Sequence, residues 1–409
     1  MMLILASDAK PCSMNSSRAW VDVVLLIDNS INMGPANLQK ISTMASLIFS
    51  KFTIGNNASI SRDHRNTRVA VISYNLQAKL EANFDNITSL QDLVNVLNGI
   101  KVSSNKEANI YDAWWKTRSL EVCNEAEITV ENCIQAYRPY VYVFFAAANN
   151  LDINAQIQVP ISFGQTTAIT VNFNTADQKL TTLLNSMSIN AAVNQTMYNF
   201  SSTSNMLTKD LEWAILQGNC FCDTVALGTP VILFDSANNR YTKYAECLSL
   251  DKLTVYLKDP LLMCQFALPW YIMPGQIWTQ AKENFIEKFF TYNFGTKSYP
   301  FYIGYHRNSP QSNWAWYDGT YYTNITEVQG SGFSNWAPGY PINKDDHNCV
   351  IVDSNDGGKT FQWKNVLCSA QYSFYKNALC QKPAYDADRI YYELENPTTV
   401  ERTKFYKSY

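Results

Sequence analysis

Histidine is nearly absent from this chain. Three occur in 409 residues: His64, His306 and His347. None belongs to a recognised catalytic motif, so a nucleophile–base–orienter arrangement has little to draw on. No Gly-rich phosphate loop and no Cys-x-x-Cys pair occurs. Cys220-Phe221-Cys222 suits two bonds in opposite directions and not a redox pair. The expectation is therefore no enzyme and no resident cofactor. Charge is also sparse, with 16% charged residues and a net charge of −3. Without a basic stretch there is no expectation of nucleic acid, and no acidic tract marks a solvating tail. No run of about 20 apolar residues occurs, so no transmembrane segment is expected.

What is present is apolar surface and cysteine. Hydrophobic residues make up 46% of the chain, enough for real cores, and the length suggests two or three domains. The ten cysteines are an even number spread along the chain, which suits a secreted, extracellular, disulfide-bonded protein. Cys123 and Cys133 enclose nine residues and form a candidate local bridge. Six Asn-x-Ser/Thr sequons begin at Asn15, Asn57, Asn86, Asn194, Asn199 and Asn324. They permit a glycoprotein without demanding one. Met1 to Ala6 is an apolar hexad with no preceding basic residue. Residues 1–19 thus read as an N-terminal segment, either the remnant of a signal peptide or a plain start.

The chain is organised around Asp28-Asn29-Ser30-Ile31-Asn32. It follows the apolar run Val21 to Ile27, which reads as a strand buried on both faces, with Asp22 its one polar residue. A helical pattern follows over Ala36–Phe52, then strands over Arg68–Tyr74 and Lys79–Phe84. Ser89 caps a helix running to Ile100, and Ile110–Val122 is helical. Further strands are expected over Tyr140–Phe145 and Thr167–Phe173, with helices over Asp177–Met187 and Met206–Gln217. Strands separated by helices imply a mostly parallel, doubly wound α/β sheet over residues 20–219. Ligands of such sheets bind at the carboxyl ends of the strands, where Asp28 lies.

Asp28-x-Ser30-x-Asn32 resembles the Asp-x-Ser-x-Ser signature of von Willebrand factor type A (vWA) domains. In that family the loop holds a divalent metal that receives a partner's carboxylate. The resemblance puts a further Thr ligand at Ala108 and a further Asp within Ala146-Ala147-Ala148, and none of these alanines offers a side-chain oxygen. Asp28, Ser30 and Asn32 are what remains. The expectation is a degenerate site in which Asp28 and Ser30 bond backbone N–H groups of their own turn.

After Cys220-Phe221-Cys222 the pattern changes to short strands, aromatics and turns. Cys264, a helix from Gln280, Tyr302-Ile303-Gly304-Tyr305, Trp314-Ala315-Trp316, Asn335-Trp336, Cys349-Val350-Ile351, Trp363-Lys364-Asn365, Cys368 and Cys380 occur in an order that resembles a C-type lectin domain. This α+β domain is expected over residues 220–383, with a polar C-terminal tail at 384–409. A vWA domain followed by a C-type lectin domain resembles the secreted C-type lectin family expanded in nematodes. That resemblance implies Cys264–Cys380 and Cys349–Cys368 bridges. It also implies that Cys12 pairs with one of Cys220 and Cys222, the other pairing with Cys247.

Sugar-binding members hold Ca²⁺ with a Glu-Pro-Asn or Gln-Pro-Asp triplet and a Trp-Asn-Asp triplet. Here the first aligns with Tyr340-Pro341-Ile342 and the second with Trp363-Lys364-Asn365, so the usual carboxylates are missing. Asp345, Asp346, Asp353 and Asp356 could build a different Ca²⁺ site, but a solvated loop is expected. Tyr340 and Tyr321 could stack on a sugar or a protein, and Trp336 and Trp363 should pack the core. Ca²⁺ or Mg²⁺ is thus not expected as a cofactor. The leading expectation is a secreted, non-catalytic recognition protein whose partner is an extracellular protein. The alternative is a carbohydrate-binding lectin acting in extracellular recognition or innate defence, with Tyr340, Asp345, Asp346 and Asn365 as its candidate ligand contacts.

Overall fold

A computed structural model of the chain describes residues 11–56, 65–120, 138–149, 166–190, 193–194, 198–200, 204–222, 228–252, 264, 273–294, 300–318, 326–329, 332–354, 360–368 and 377–388. These fall into two compact units. One comprises Cys12–Phe221 with residues 385–388, and the other Cys222–Ala384 with Pro11.

The first unit is built on β1, Asp22–Asp28, every residue of which is buried. Alternate side chains serve opposite faces, as the two-residue period of a strand requires. Val23, Leu25 and Ile27 enter one core, while Val24 and Leu26 enter the other. The remaining strands are β2 (Arg68–Tyr74), β3 (Ala78–Ala82), β4 (Tyr140–Ala146), β5 (Thr166–Asn172) and, after a small hairpin of β6 (Ile189–Asn190) and β7 (Val193–Asn194), β8 (Tyr198–Asn199). The main sheet runs β3-β2-β1-β4-β5-β8, parallel except for β3. Helices α1 (Gly34–Phe49), α2 (Leu90–Gly99) and α5 (Ser204–Gly218) bury apolar residues in the first core. Helices α3 (Ile110–Thr117) and α4 (Gln178–Met187) bury theirs in the second. This is the doubly wound arrangement the alternation implied. Ser89 caps α2 by accepting from the Asp92 N–H.

Several helix limits differ from expectation. Helix α1 begins earlier, at Gly34, which adopts φ +69°, a conformation favouring glycine. It also ends earlier, at Phe49. Helix α3 ends at Thr117 and tightens into a 3₁₀ turn over Arg118–Leu120. Asp22, the polar exception in β1, is buried between two guanidiniums. Arg68 reaches it through Nε at 2.8 Å and also through Nη2, and Arg138 reaches it at 3.2 Å. Burial lowers the Arg138 pKa to about 10, with Asp22 acting against that shift.

Residues 385–388 belong to this unit. Phe221 and Tyr385 exchange backbone hydrogen bonds at 3.0 and 2.9 Å. Asp386 Oδ2 accepts from the Ser13 N–H at 2.8 Å, and Arg65 donates to the Ala387 carbonyl at 2.7 Å. The first residues of the polar tail expected from 384 onward are thus held by hydrogen bonds as far as Ala387. They are apolar enough to bury Ala384, Tyr385 and Ala387.

The second unit centres on a branched sheet. Its strands are β9 (Thr229–Asp235), β10 (Arg240–Lys252), β11 (Met273–Pro274), β12 (Phe301–His306), β13 (Ala315–Asp318), β14 (Thr326–Gln329), β15 (Cys349–Asp353), β16 (Gln362–Val366) and β17 (Asn377–Pro383). The main path runs β14-β13-β12-β17-β10-β9, with β15 and β16 branching from β12. Helix α6, Gln280–Phe294, presents Glu283 to the interior, where Oε1 accepts from Trp363 Nε1 at 2.7 Å and Oε2 from Asn335 Nδ2 at 3.0 Å. Trp316 and Trp363 are fully buried, and Trp336 packs edge-on against Trp363.

Candidate functional sites

The carboxyl end of the first sheet gathers three loops around Asp28. Its side chain is fully buried. Oδ1 accepts from the Ser30 N–H at 2.8 Å, while Oδ2 accepts from the Ala147 and Ala148 N–H groups at 3.0 and 3.1 Å. The Ser30 hydroxyl bonds the same carboxylate. Burial pushes the Asp28 pKa up, and these hydrogen bonds hold it back. The buried Tyr74 hydroxyl is pushed well up by burial and then by the nearby Asp28 charge.

Asn32 takes a different part. Its Nδ2 donates to the Lys106 carbonyl at 2.7 Å and approaches Ser30 Oγ at 3.4 Å. A carbonyl can only accept, so the Asn32 amide presents its nitrogen to Lys106, whereas a metal would need the oxygen. Ala108 is fully buried and Ala146 likewise. The residues present do not fit a dication, because the carboxylate already accepts from four donors and the side chains of Ala108 and Ala146–Ala148 offer no oxygen. Among the described residues, no group of three or more His, Cys, Asp or Glu side chains is placed to hold a metal.

Asparagines tie these loops instead. Asn29 Nδ2 donates to the Lys101 carbonyl at 3.1 Å, Asn75 Nδ2 to Asn29 Oδ1 at 3.0 Å, and Asn105 Nδ2 to Asn75 Oδ1 at 2.9 Å. Backbone bonds run alongside, from Ile31 to the Asn105 carbonyl and from Ser103 to the Asn29 carbonyl. Sequence reasoning missed Asn29, Asn75 and Asn105. The signal available was an asparagine just after β1 and another just after β2. Ile31, Leu76, Tyr111 and Trp115 are 50%, 49%, 44% and 60% exposed. Tyr111 and Trp115 stack one turn apart on α3, with ring centroids 6.4 Å apart.

The second candidate is the loop between Trp336 and β15. Tyr340 is half-buried and Ile342 is held by Asn365. Asn365 is buried. Its Oδ1 accepts from the Ile342 N–H at 2.7 Å, and its Nδ2 donates to the Ile342 and His347 carbonyls, each at 2.8 Å. Asp353 is taken up by Lys364 at 2.7 Å. Asp345 and Asp346 are exposed, and Asp346 bonds His347 Nδ1 at 2.7 Å, which lowers its pKa. The candidate ligand contacts therefore separate: Asn365 lies inside the fold, Asp345 and Asp346 on its surface. Asp356 and Tyr321 lie outside the described residues.

Four disulfides are described: Cys12–Cys220, Cys222–Cys247, Cys264–Cys380 and Cys349–Cys368. Cys12 thus takes Cys220, which settles the alternative left open by the sequence. The proposed Cys123–Cys133 bridge lies outside the described residues.

Both units match known domain families. A von Willebrand factor type A domain model matches residues 22–213, and a lectin C-type domain model matches residues 275–382. The two models thus match one after the other along the chain. It is similar to C-type lectin domain-containing protein 160 of Caenorhabditis elegans, 22% identical over 402 residues, covering 93% of this chain and 56% of that protein. The chain therefore spans about half the length of that relative. Lithostathine of Rattus norvegicus is 29% identical over 137 residues, covering 34% of this chain and 73% of that protein. Among solved structures, proximal thread matrix protein 1 from the mussel byssus, with a zinc-occupied MIDAS motif, is 17% identical. It covers 48% of this chain and 46% of that chain with a TM-score of 0.36.

Proposed function

We propose that the protein is a secreted, non-catalytic recognition protein that uses both domains as metal-independent scaffolds for binding an extracellular protein. The observation that carries this is the state of the two inherited cation positions. In one, Asp28 is saturated by N–H and O–H donors. In the other, Asn365 is spent on holding Ile342 and His347. The exposed, stacked pair of Tyr111 and Trp115 supports a protein partner, since aromatic side chains are favoured at such interfaces. Four disulfides support an oxidising, extracellular setting. None of the described helices is long and apolar enough to cross a membrane.

The test is a glycan array probed in Ca²⁺ and in EDTA, beside capture of partners from extracellular fluid under both conditions. The expected result is no Ca²⁺-dependent glycan signal and a captured protein whose binding survives EDTA. A glycan signal that requires Ca²⁺ would replace this reading with that of a carbohydrate-binding lectin.

A further inference from the structure

In the lectin unit, three backbone carbonyls of one loop converge on a single side chain. The Ile342, Lys344 and His347 oxygens lie 3.3, 3.3 and 3.5 Å from Nη2 of Arg307. Arg307 Nε donates to Asn348 Oδ1 at 3.0 Å, and Nη1 to the Pro310 carbonyl at 3.4 Å. The Arg307 N–H also donates to the Asn348 carbonyl at 3.0 Å. The Trp314 ring covers the guanidinium, 4.9 Å from ring centroid to Cζ. The residue is buried, and burial lowers its pKa from the usual arginine value. It still stays charged, because a guanidinium does not give up its proton in a protein.

Several neutral oxygens turned toward one point are the arrangement that recruits a hard cation. A guanidinium meets the same need with five N–H donors in a rigid fork. Asn365 closes the other side, so the Ile342 and His347 carbonyls each receive two donors. We infer that Arg307 is the resident cation of this loop, positioning residues 342–348 and the surface they share with Tyr340 in place of a bound metal. The inference rests on the metal-independent reading and names the residue that makes it work in this domain.

Hydrogen exchange on the full chain tests it. In the native protein, exchange over residues 340–348 should be the same in EDTA and in millimolar Ca²⁺. Arg307→Ala should raise exchange there about tenfold, as losing one or two net hydrogen bonds would. The Cys349–Asp353 ladder should keep its protection. Arg307→Lys retains the charge on a single nitrogen and should give an intermediate rise; it carries the same test if the alanine variant does not fold. Unchanged exchange over 340–348 in the variants overturns the inference. So does a rise spread equally through Cys349–Asp353, or an opening of the native loop by EDTA alone. These readouts need no partner. Loss of partner binding in EDTA would refute the proposed function, whereas unresponsive Arg307 variants would remove only this residue's role.

Discussion

Replacing Asp28 by alanine distinguishes an internal lock from a metal site. In a metal site stripped by EDTA, the carboxylate is a buried charge with nothing to bind, and removing it should stabilise the fold. Here the carboxylate accepts from the Ser30, Ala147 and Ala148 N–H groups and the Ser30 hydroxyl. Alanine would leave three buried backbone donors without a partner. Each unmade bond of this kind costs about 1–3 kcal/mol, partly offset because a desolvated charge is removed as well. A net loss of about 3–5 kcal/mol follows from these costs, or on the order of 10 °C in melting temperature for a unit of this size. Calorimetry of the native protein and of Asp28→Ala, each in EDTA and in Mg²⁺, would measure it. The expected result is the same large loss in both buffers. A neutral or stabilising effect in EDTA would refute the lock, and so would native stabilisation by Mg²⁺ that vanishes in the variant.

Three further outcomes are expected. The native melting temperature should not differ between excess EDTA and millimolar Ca²⁺, whereas a dication at a hundredfold excess over its Kd would add about 2.7 kcal/mol; a Ca²⁺-dependent rise lost in Asp345→Ala or Asp346→Ala would show a rebuilt site. Burial, and then the charge of Glu283, raise the Glu287 pKa to about 7 from 4.5. The folded state then holds a proton that the unfolded state has released between those values, so stability should increase as pH falls from about 8 to 5. Glu287→Gln should raise the melting temperature at pH 8 and flatten that slope, and a slope unchanged in the variant would discard Glu287 as its source. Cys12→Ser opens a loop with a sequence separation of 208, for which the chain-entropy relation gives on the order of 5 kcal/mol. A melting temperature within a degree of native in urea-free buffer would contradict that loss.

The fold was legible where a local pattern had a single physical meaning. Val21 to Ile27 could only be a strand with two buried faces, and it became the centre of the sheet. The cation positions were legible only as missing ligands. What replaces them depends on partners far away in sequence. Asn32 offers an oxygen or a nitrogen equally well until the Lys106 carbonyl, 74 residues on, selects the nitrogen. Arg307 reads as an ordinary surface charge until residues 342–348 fold over it. Asn365 was read as a ligand candidate, but its three bonds face inward because both faces of its amide find backbone partners.

The pairing of Phe221 with Tyr385 has a consequence for the order of synthesis. The first unit receives residues 385–388 only after the whole stretch Cys222–Ala384 has been translated. Until then the backbone groups of Phe221, the Ser13 N–H and the Arg65 guanidinium lack the acceptors and donors they meet in the finished chain. The vWA fold is begun first on the ribosome and closed last. A nascent chain halted within the lectin region would carry a first domain still open at that edge.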